Sequence, residues 1–155
     1  MTRQEIMEIA GDLMKRSNGA YVSTNSEKPF PYIRMMFNLR NVSMFPMYEK
    51  FFSDKGLTLY FSTNTSSFKN TQLHTNPYCS VYYSVPDEFI GLMFAGKAEV
   101  IQDRTVKEAL WLEGGERYYP TGIDDPDYTI LRIVPEYIRG WYKGQPIELK
   151  LDGEA

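Results

Sequence analysis

The stretch Leu59-Tyr-Phe-Ser-Thr-Asn-Thr-Ser-Ser-Phe-Lys-Asn-Thr-Gln-Leu-His-Thr-Asn-Pro77 runs from an apolar segment into six small hydroxyl or amide residues, Ser62 to Ser67. Lys69 then opens a short segment of helical character, and Asn76-Pro77 ends it. The apolar start predicts a strand over 57–61 and the later spacing a helix over 66–74. A helix N-terminus presents free N–H groups and partial positive charge, which attract phosphate. The hydroxyls and N–H groups of Ser66 and Ser67, with the charge of Lys69, suit such an anion. An ordinary capped helix with a surface lysine would use the same residues. The stretch alone leaves both readings open.

Outward from it, the pattern is mostly strands. Thr2 and Glu5 form a capping box for a helix over 3–15. Residues 20–24 and 31–39 read as a hairpin around the turn at 25–29. Residues 40–56 are harder to read; a short helix with Phe51 and Phe52 facing inward fits best. Strands follow over 78–85 and 89–101. Asp103 caps a helix over 104–112, and the chain closes with strands over 128–134, 137–142 and 147–151. About seven or eight strands, mostly joined by hairpins, predict a mainly β fold: an antiparallel barrel with a few helices outside it. No repeat or linker interrupts the chain, so residues 1–155 are read as one domain.

Composition narrows the partners. Hydrophobic residues make up 43% and charged residues 24%, as in a soluble globular protein. The net charge of -3 argues against a nucleic-acid surface, so an anionic ligand must be met by a few placed cations. No stretch approaches the length of a membrane span, and the charged N-terminus does not resemble a signal peptide. With a single cysteine, Cys79, no internal disulfide forms. A cytoplasmic protein is expected.

The second strand supplies another cation. Arg34 stands among Ile33, Met35, Met36 and Phe37, and a charged residue in an apolar strand is rarely buried unless paired. It either lies on a solvated face, pairs with a carboxylate, or grips a phosphate with two parallel hydrogen bonds. Arg34 and Lys69 meet at one anion if their elements are neighbours.

Taken in order, PYIRMMFNL, FSTNTSSFKNTQLHTNP and LMFAGKAEV resemble the pyridoxamine 5'-phosphate oxidase-like, FMN-binding split-barrel proteins, and within them the small general stress protein branch. The resemblance covers nearly the whole chain. It implies a Greek-key-like split β-barrel and a homodimer with one FMN at each end of the interface. Carried over by motif, Arg34 and Lys69 hold the FMN phosphate and Ser67 adds a hydroxyl. Met35 and Met36 lie beside the flavin, Ser62 and Thr63 touch the isoalloxazine edge, and Trp141 borders it. The departures concern the oxidase substrate. A second basic residue is replaced by Phe68, a substrate lysine by Leu39 and a glutamine facing the partner's flavin by Gly91, while an arginine has no counterpart in PIELKL. The resemblance therefore implies an FMN-dependent oxidoreductase acting on another small molecule, or a flavin-binding stress protein that turns over nothing. A deazaflavin or haem in the same pocket is a weaker alternative. No metal site is expected: Asp124 to Asp127 reads better as a turn. His74, the only histidine, suits the end of a helix better than catalysis.

Overall fold

The computed structural model describes residues 1–151. Its elements run α1 (Arg3–Arg16), β1 (Gly19–Thr24), β2 (Tyr32–Phe37), α2 (Glu49–Phe52), β3 (Leu59–Asn64), α3 (Phe68–Thr75), β4 (Tyr78–Val85), β5 (Ile90–Ile101), α4 (Arg104–Ala109), β6 (Tyr128–Tyr142) and β7 (Gln145–Lys150). All seven strands join one antiparallel sheet in the order β2-β1-β4-β5-β6-β3, with β7 beside the second half of β6. β2 and β3 are consecutive in the chain yet stand at opposite edges, which is the Greek-key-like crossing. The sheet curls into a half-barrel with helices outside it, so the split-barrel expectation holds.

Side-chain alternation builds the core. Val22, Val81, Tyr83, Leu92, Phe94, Leu131 and Ile133 point inward, with Leu59 and Phe61 of β3. Helix α1 covers them with Ile6, Ala10, Leu13 and Met14, and its Thr2–Glu5 capping box forms as expected. A second, aromatic cluster lies on the other side of β3. Tyr60 packs edge-to-face on Phe51 and meets Phe52, and Leu39, Tyr48, Leu110, Tyr119, Tyr128 and Ile130 complete it. Phe52 is buried and Phe51 half-buried, as expected of an inward pair. Trp111 and Tyr119 pack on Tyr128 in this cluster, whereas Tyr118 is exposed.

The segments expected as separate strands over 128–134 and 137–142 are one 15-residue strand. Pro135 reads as a breaker because it cannot donate to a ladder. It is accommodated at a bulge, where Ala95 pairs with Tyr137 and Gly96 with Pro135, leaving Glu136 as the extra residue. Gly96 permits this, since a Cβ there would lie 2.2 Å from the Val134 carbonyl oxygen. Smaller corrections concern ends. β3 starts at Leu59, not Leu57, and β2 stops at Phe37, so Leu39 turns away into the aromatic cluster. α3 starts at Phe68 and α4 ends at Ala109.

The other face of β2, β1, β4, β5 and β6 remains open. Ile33, Met35, Phe37, Tyr21, Tyr82 and Trp141 are all exposed there. Among the described residues no helix is long and apolar enough to cross a membrane.

Candidate functional site

Two cations converge where α3 meets β1 and β2. Arg34 sits on the inward face of β2, opposite Val22 of β1. Its guanidinium donates to the Thr24 hydroxyl at 2.7 Å, to the Val22 carbonyl at 3.2 Å and to the Gln72 side-chain carbonyl at 3.4 Å. Thr24, fully buried, donates its own hydroxyl hydrogen bond to the same Gln72 oxygen at 2.6 Å. Lys69 stands one helical turn before Gln72 and donates to the Ser67 hydroxyl at 3.1 Å. Neither cation meets a carboxylate in any of these contacts.

The electrostatics follow. Burial holds Lys69 below the ordinary lysine range, and the nearby Arg34 charge adds to this. Arg34 is lowered by burial as well. Two partly desolvated like charges side by side are unfavourable until an anion joins them, and an anion reverses both effects by favouring the charged forms. An orphaned polar atom beside the cations fits such a guest. The Gln72 amide is fixed with its oxygen toward Thr24 and Arg34, which leaves its buried Nε2 donor without a partner. The buried Thr63 hydroxyl at the end of β3 has none either, but no contact ties it to the two cations. The cations and Gln72 fit a phosphate monoester such as that of FMN.

Anion binding here is linked to the Lys69 proton. Affinity is fully present below the free-state pKa of the lysine and is lost as pH rises through that of the complex. Inorganic phosphate should therefore bind more weakly as the alkaline range is crossed, and Lys69→Arg, which stays charged, should flatten the loss. Calorimetric titration at several pH values checks this; a flat profile for the unaltered protein would contradict it.

The hydroxyl turn differs from its sequence reading in one respect. The Ser66 N–H donates to the Asp127 carboxylate at 2.7 Å, and the Ser67 N–H to the Asn64 carbonyl at 3.1 Å. Neither is available to an anion. What remains is the Ser67 hydroxyl beside Lys69 and the first N–H groups of α3 itself. Asp127 also accepts from the Asn64 amide at 2.6 Å, so it anchors the turn to the start of β6, and these bonds hold it below the usual carboxylate range. Asp125 accepts from Thr121 and from the Asp127 N–H in the same way. The acidic run is thus a turn clamp. Among the described residues no group of three or more His, Cys, Asp or Glu side chains is placed to hold a metal.

The other expected site residues scatter. Met36 shares the inward face with Arg34, whereas Met35 points to the open face. Ser62 is turned toward the second cluster and hydrogen-bonded to the Tyr128 phenol. Trp141 lies on the open face of β6, four strand steps along the sheet from β2, whereas Arg34 sits on the inward face. One chain therefore does not bring Trp141 to the cradle. His74 is exposed and lines a separate cavity of about 580 Å3 with Asn70, Leu73 and Val100. Cys79 is buried, and burial pushes its thiol up to about 12, which removes it as a nucleophile. Sequence reasoning missed Thr24 and Gln72. Only the three-residue spacing of Lys69 and Gln72 on one helix face pointed to the latter.

The profile of the family described as "Pyridoxamine 5'-phosphate oxidase like" matches residues 33–150, which include both cations. General stress protein 26 of Bacillus subtilis is 34% identical over 109 residues, covering 67% of this chain and 76% of that protein. A Clostridium acetobutylicum protein related to general stress protein 26 superposes with a TM-score of 0.76 at 33% identity, over 97% of this chain and 98% of that one. A heme binding protein from Mycobacterium smegmatis shares the fold at a TM-score of 0.67 and 16% identity, over 99% of this chain and 60% of that one. A matched profile that spans Arg34, Lys69 and the strand of Trp141, together with full-length superposition on a relative a third identical, establishes that the chain belongs to the pyridoxamine 5'-phosphate oxidase-like family.

Proposed function

We propose that the chain binds FMN between two copies of itself and acts in the cytoplasm as an FMN-dependent oxidoreductase on a small molecule. The observation that carries this reading is the convergence of Arg34 and Lys69 at the start of α3, partly buried and, among the described residues, without a carboxylate partner. In this reading Arg34 grips the phosphate from the strand while Thr24 and Gln72 hold its guanidinium in place. Lys69 and Ser67 close the phosphate from the helix. The flavin would supply hydride chemistry at its N5 position, and the chain would supply orientation and charge. Among the described residues no histidine or carboxylate contacts Arg34 or Lys69 as a general acid or base, which suits chemistry carried by the cofactor.

A second reading, a flavin-binding protein that stores FMN without turnover, is favoured by the fate of the substrate positions. Leu39 is buried in the aromatic cluster, and Phe68 packs edge-to-face on Tyr32. Neither offers charge to a second phosphate. Haem in place of FMN gains less support, because His74 lines a different cavity from the cradle. Mass and visible spectrum of the co-purifying cofactor separate these ligands. Stopped-flow mixing with NADH or NADPH, then with acceptors, separates turnover from storage: rapid reduction supports the oxidoreductase, and its absence supports storage.

Pyridoxamine 5'-phosphate oxidase activity itself is not expected. A phosphorylated pyridine needs its own cations, since a buried phosphate without partners is costly. Incubating the FMN-loaded protein aerobically with pyridoxamine phosphate and pyridoxine phosphate should form no pyridoxal phosphate above background. Turnover of about one per second or more, an ordinary enzyme rate, would contradict this.

A further inference from the structure

The open face contains one side chain seated where another residue's side chain would begin. Gly91 of β5 pairs with Trp141 of β6 on one side and with Ser84 of β4 on the other. Tyr82, two residues before Ser84 on the same face, leans diagonally across to Gly91. A Cβ on Gly91 would lie 1.9 Å from the Tyr82 hydroxyl oxygen and 2.6 Å from the ring carbon that bears it. The phenol thus occupies the seat of a side chain at position 91, beside Trp141. Tyr82 is 43% exposed and Trp141 52%, so ring and hydroxyl stand at the surface. Among the described residues nothing hydrogen-bonds that hydroxyl. A tyrosine hydroxyl normally finds a partner when it is covered.

Whatever covers this face and brings Trp141 to a ligand brings Tyr82 as well, because Gly91 joins the two. In a two-fold dimer built on this face the same patch of each copy faces the other, so each chain presents its Tyr82 to the other. We propose that Tyr82 of the partner subunit supplies a hydrogen-bonding hydroxyl to the polar edge of the flavin ring, with Gly91 kept free of a side chain to make room for it. This rests on the reading above, in which FMN lies between two copies, with Trp141 at its border as the family resemblance implies. A phenol donates and accepts, so it matches an edge that carries both carbonyl oxygens and an N–H. Tyr82 is then a cofactor-contacting residue, and it sets the electronic character of the flavin rather than gripping its phosphate.

The test uses the purified full-length protein loaded with FMN. Tyr82→Phe removes only the hydroxyl from an exposed ring, so the dimer mass should not change. FMN affinity should fall about three- to tenfold, as for one neutral hydrogen bond. The visible flavin bands should shift, and the midpoint potential should become more negative as a donor to the reduced ring is lost. Tyr82→Ala combined with Gly91→Ser returns a hydroxyl close to the vacated position, and should recover the spectrum better than Tyr82→Ala alone. If Tyr82→Phe keeps affinity, spectrum and potential while Arg34→Ala loses FMN, the Tyr82 inference fails and the FMN reading stands. If Tyr82→Phe loses affinity only by losing the dimer, with unshifted bands in the flavin still bound, its role is structural and the inference fails. If the unaltered protein takes up no FMN, both fail.

Discussion

Arg34→Ala and Lys69→Ala should each weaken FMN binding roughly ten- to a hundredfold, because each removes one charge-assisted phosphate contact of about 1.5–3 kcal/mol. The two losses should not add simply. Removing one cation also relieves its repulsion of the other, which is visible in the depression of Lys69 by Arg34. The double variant should therefore lose somewhat less than the product of the single losses. Arg34→Lys is expected to fall close to alanine, since a lysine cannot make the forked contacts to Thr24, Val22 and Gln72 and still face the anion. Fluorescence titration of FMN into each variant gives the numbers. Affinity unchanged in both alanine variants would remove this cradle from consideration.

The second large effect concerns the open face of the sheet. Ile33, Met35 and Phe37 alternate with the inward residues of β2 and stand 67%, 65% and 62% exposed. Tyr21, opposite Met35 and Tyr82 in the register, extends the apolar surface to β4. An apolar surface of this kind marks an interface. Ile33→Asp with Phe37→Asp would put unpaired carboxylates into it, and a buried unpaired charge is strongly unfavourable. Light scattering should then show the mass falling from twice the 18.0 kDa chain mass to the chain mass itself. Far-ultraviolet circular dichroism should be retained, because both residues are already exposed in the single chain. FMN affinity should fall by more than tenfold although Arg34 and Lys69 are untouched. A double variant that stays dimeric, or a monomer that binds FMN as tightly as the parent, would contradict the shared site.

Much of this was legible in the residues, for identifiable reasons. The Thr2–Glu5 box and the apolar spacing behind it defined α1 because both signals are local. Arg34 stood out because a cation inside an apolar strand needs an explanation, and Lys69 because it opposes the dipole of its own helix. The long β6 was not legible, because Pro135 is a breaker by local rules and becomes tolerable only at a bulge opposite Gly96. Thr24 escaped notice, and Gln72 had only its spacing from Lys69 to mark it, because neutral polar residues carry little signal until the fold places them against Arg34. Asp127 read as part of a turn, which it is, but its hold on Asn64 and Ser66 spans the gap between β3 and β6. The role of Trp141 came from family resemblance, since nothing in its own strand distinguishes it. The pairing of Tyr82 with Gly91 depends on register across two strands, and no window of sequence contains it.

The most direct test of a flavin shared between two copies is complementation between defective chains. One chain carries Arg34→Ala with Lys69→Ala, which removes the phosphate cradle; the other carries Trp141→Ala, which removes the wall given to the neighbouring site. Each should bind FMN weakly alone. Mixed and allowed to exchange subunits, they form heterodimers in which the intact cradle of one chain meets the intact wall of the other. The account predicts that tight FMN binding returns at one site per heterodimer, measured by fluorescence titration of the separated heterodimer. A heterodimer that binds no better than the two parents would contradict the account, because it would place the whole site within a single chain.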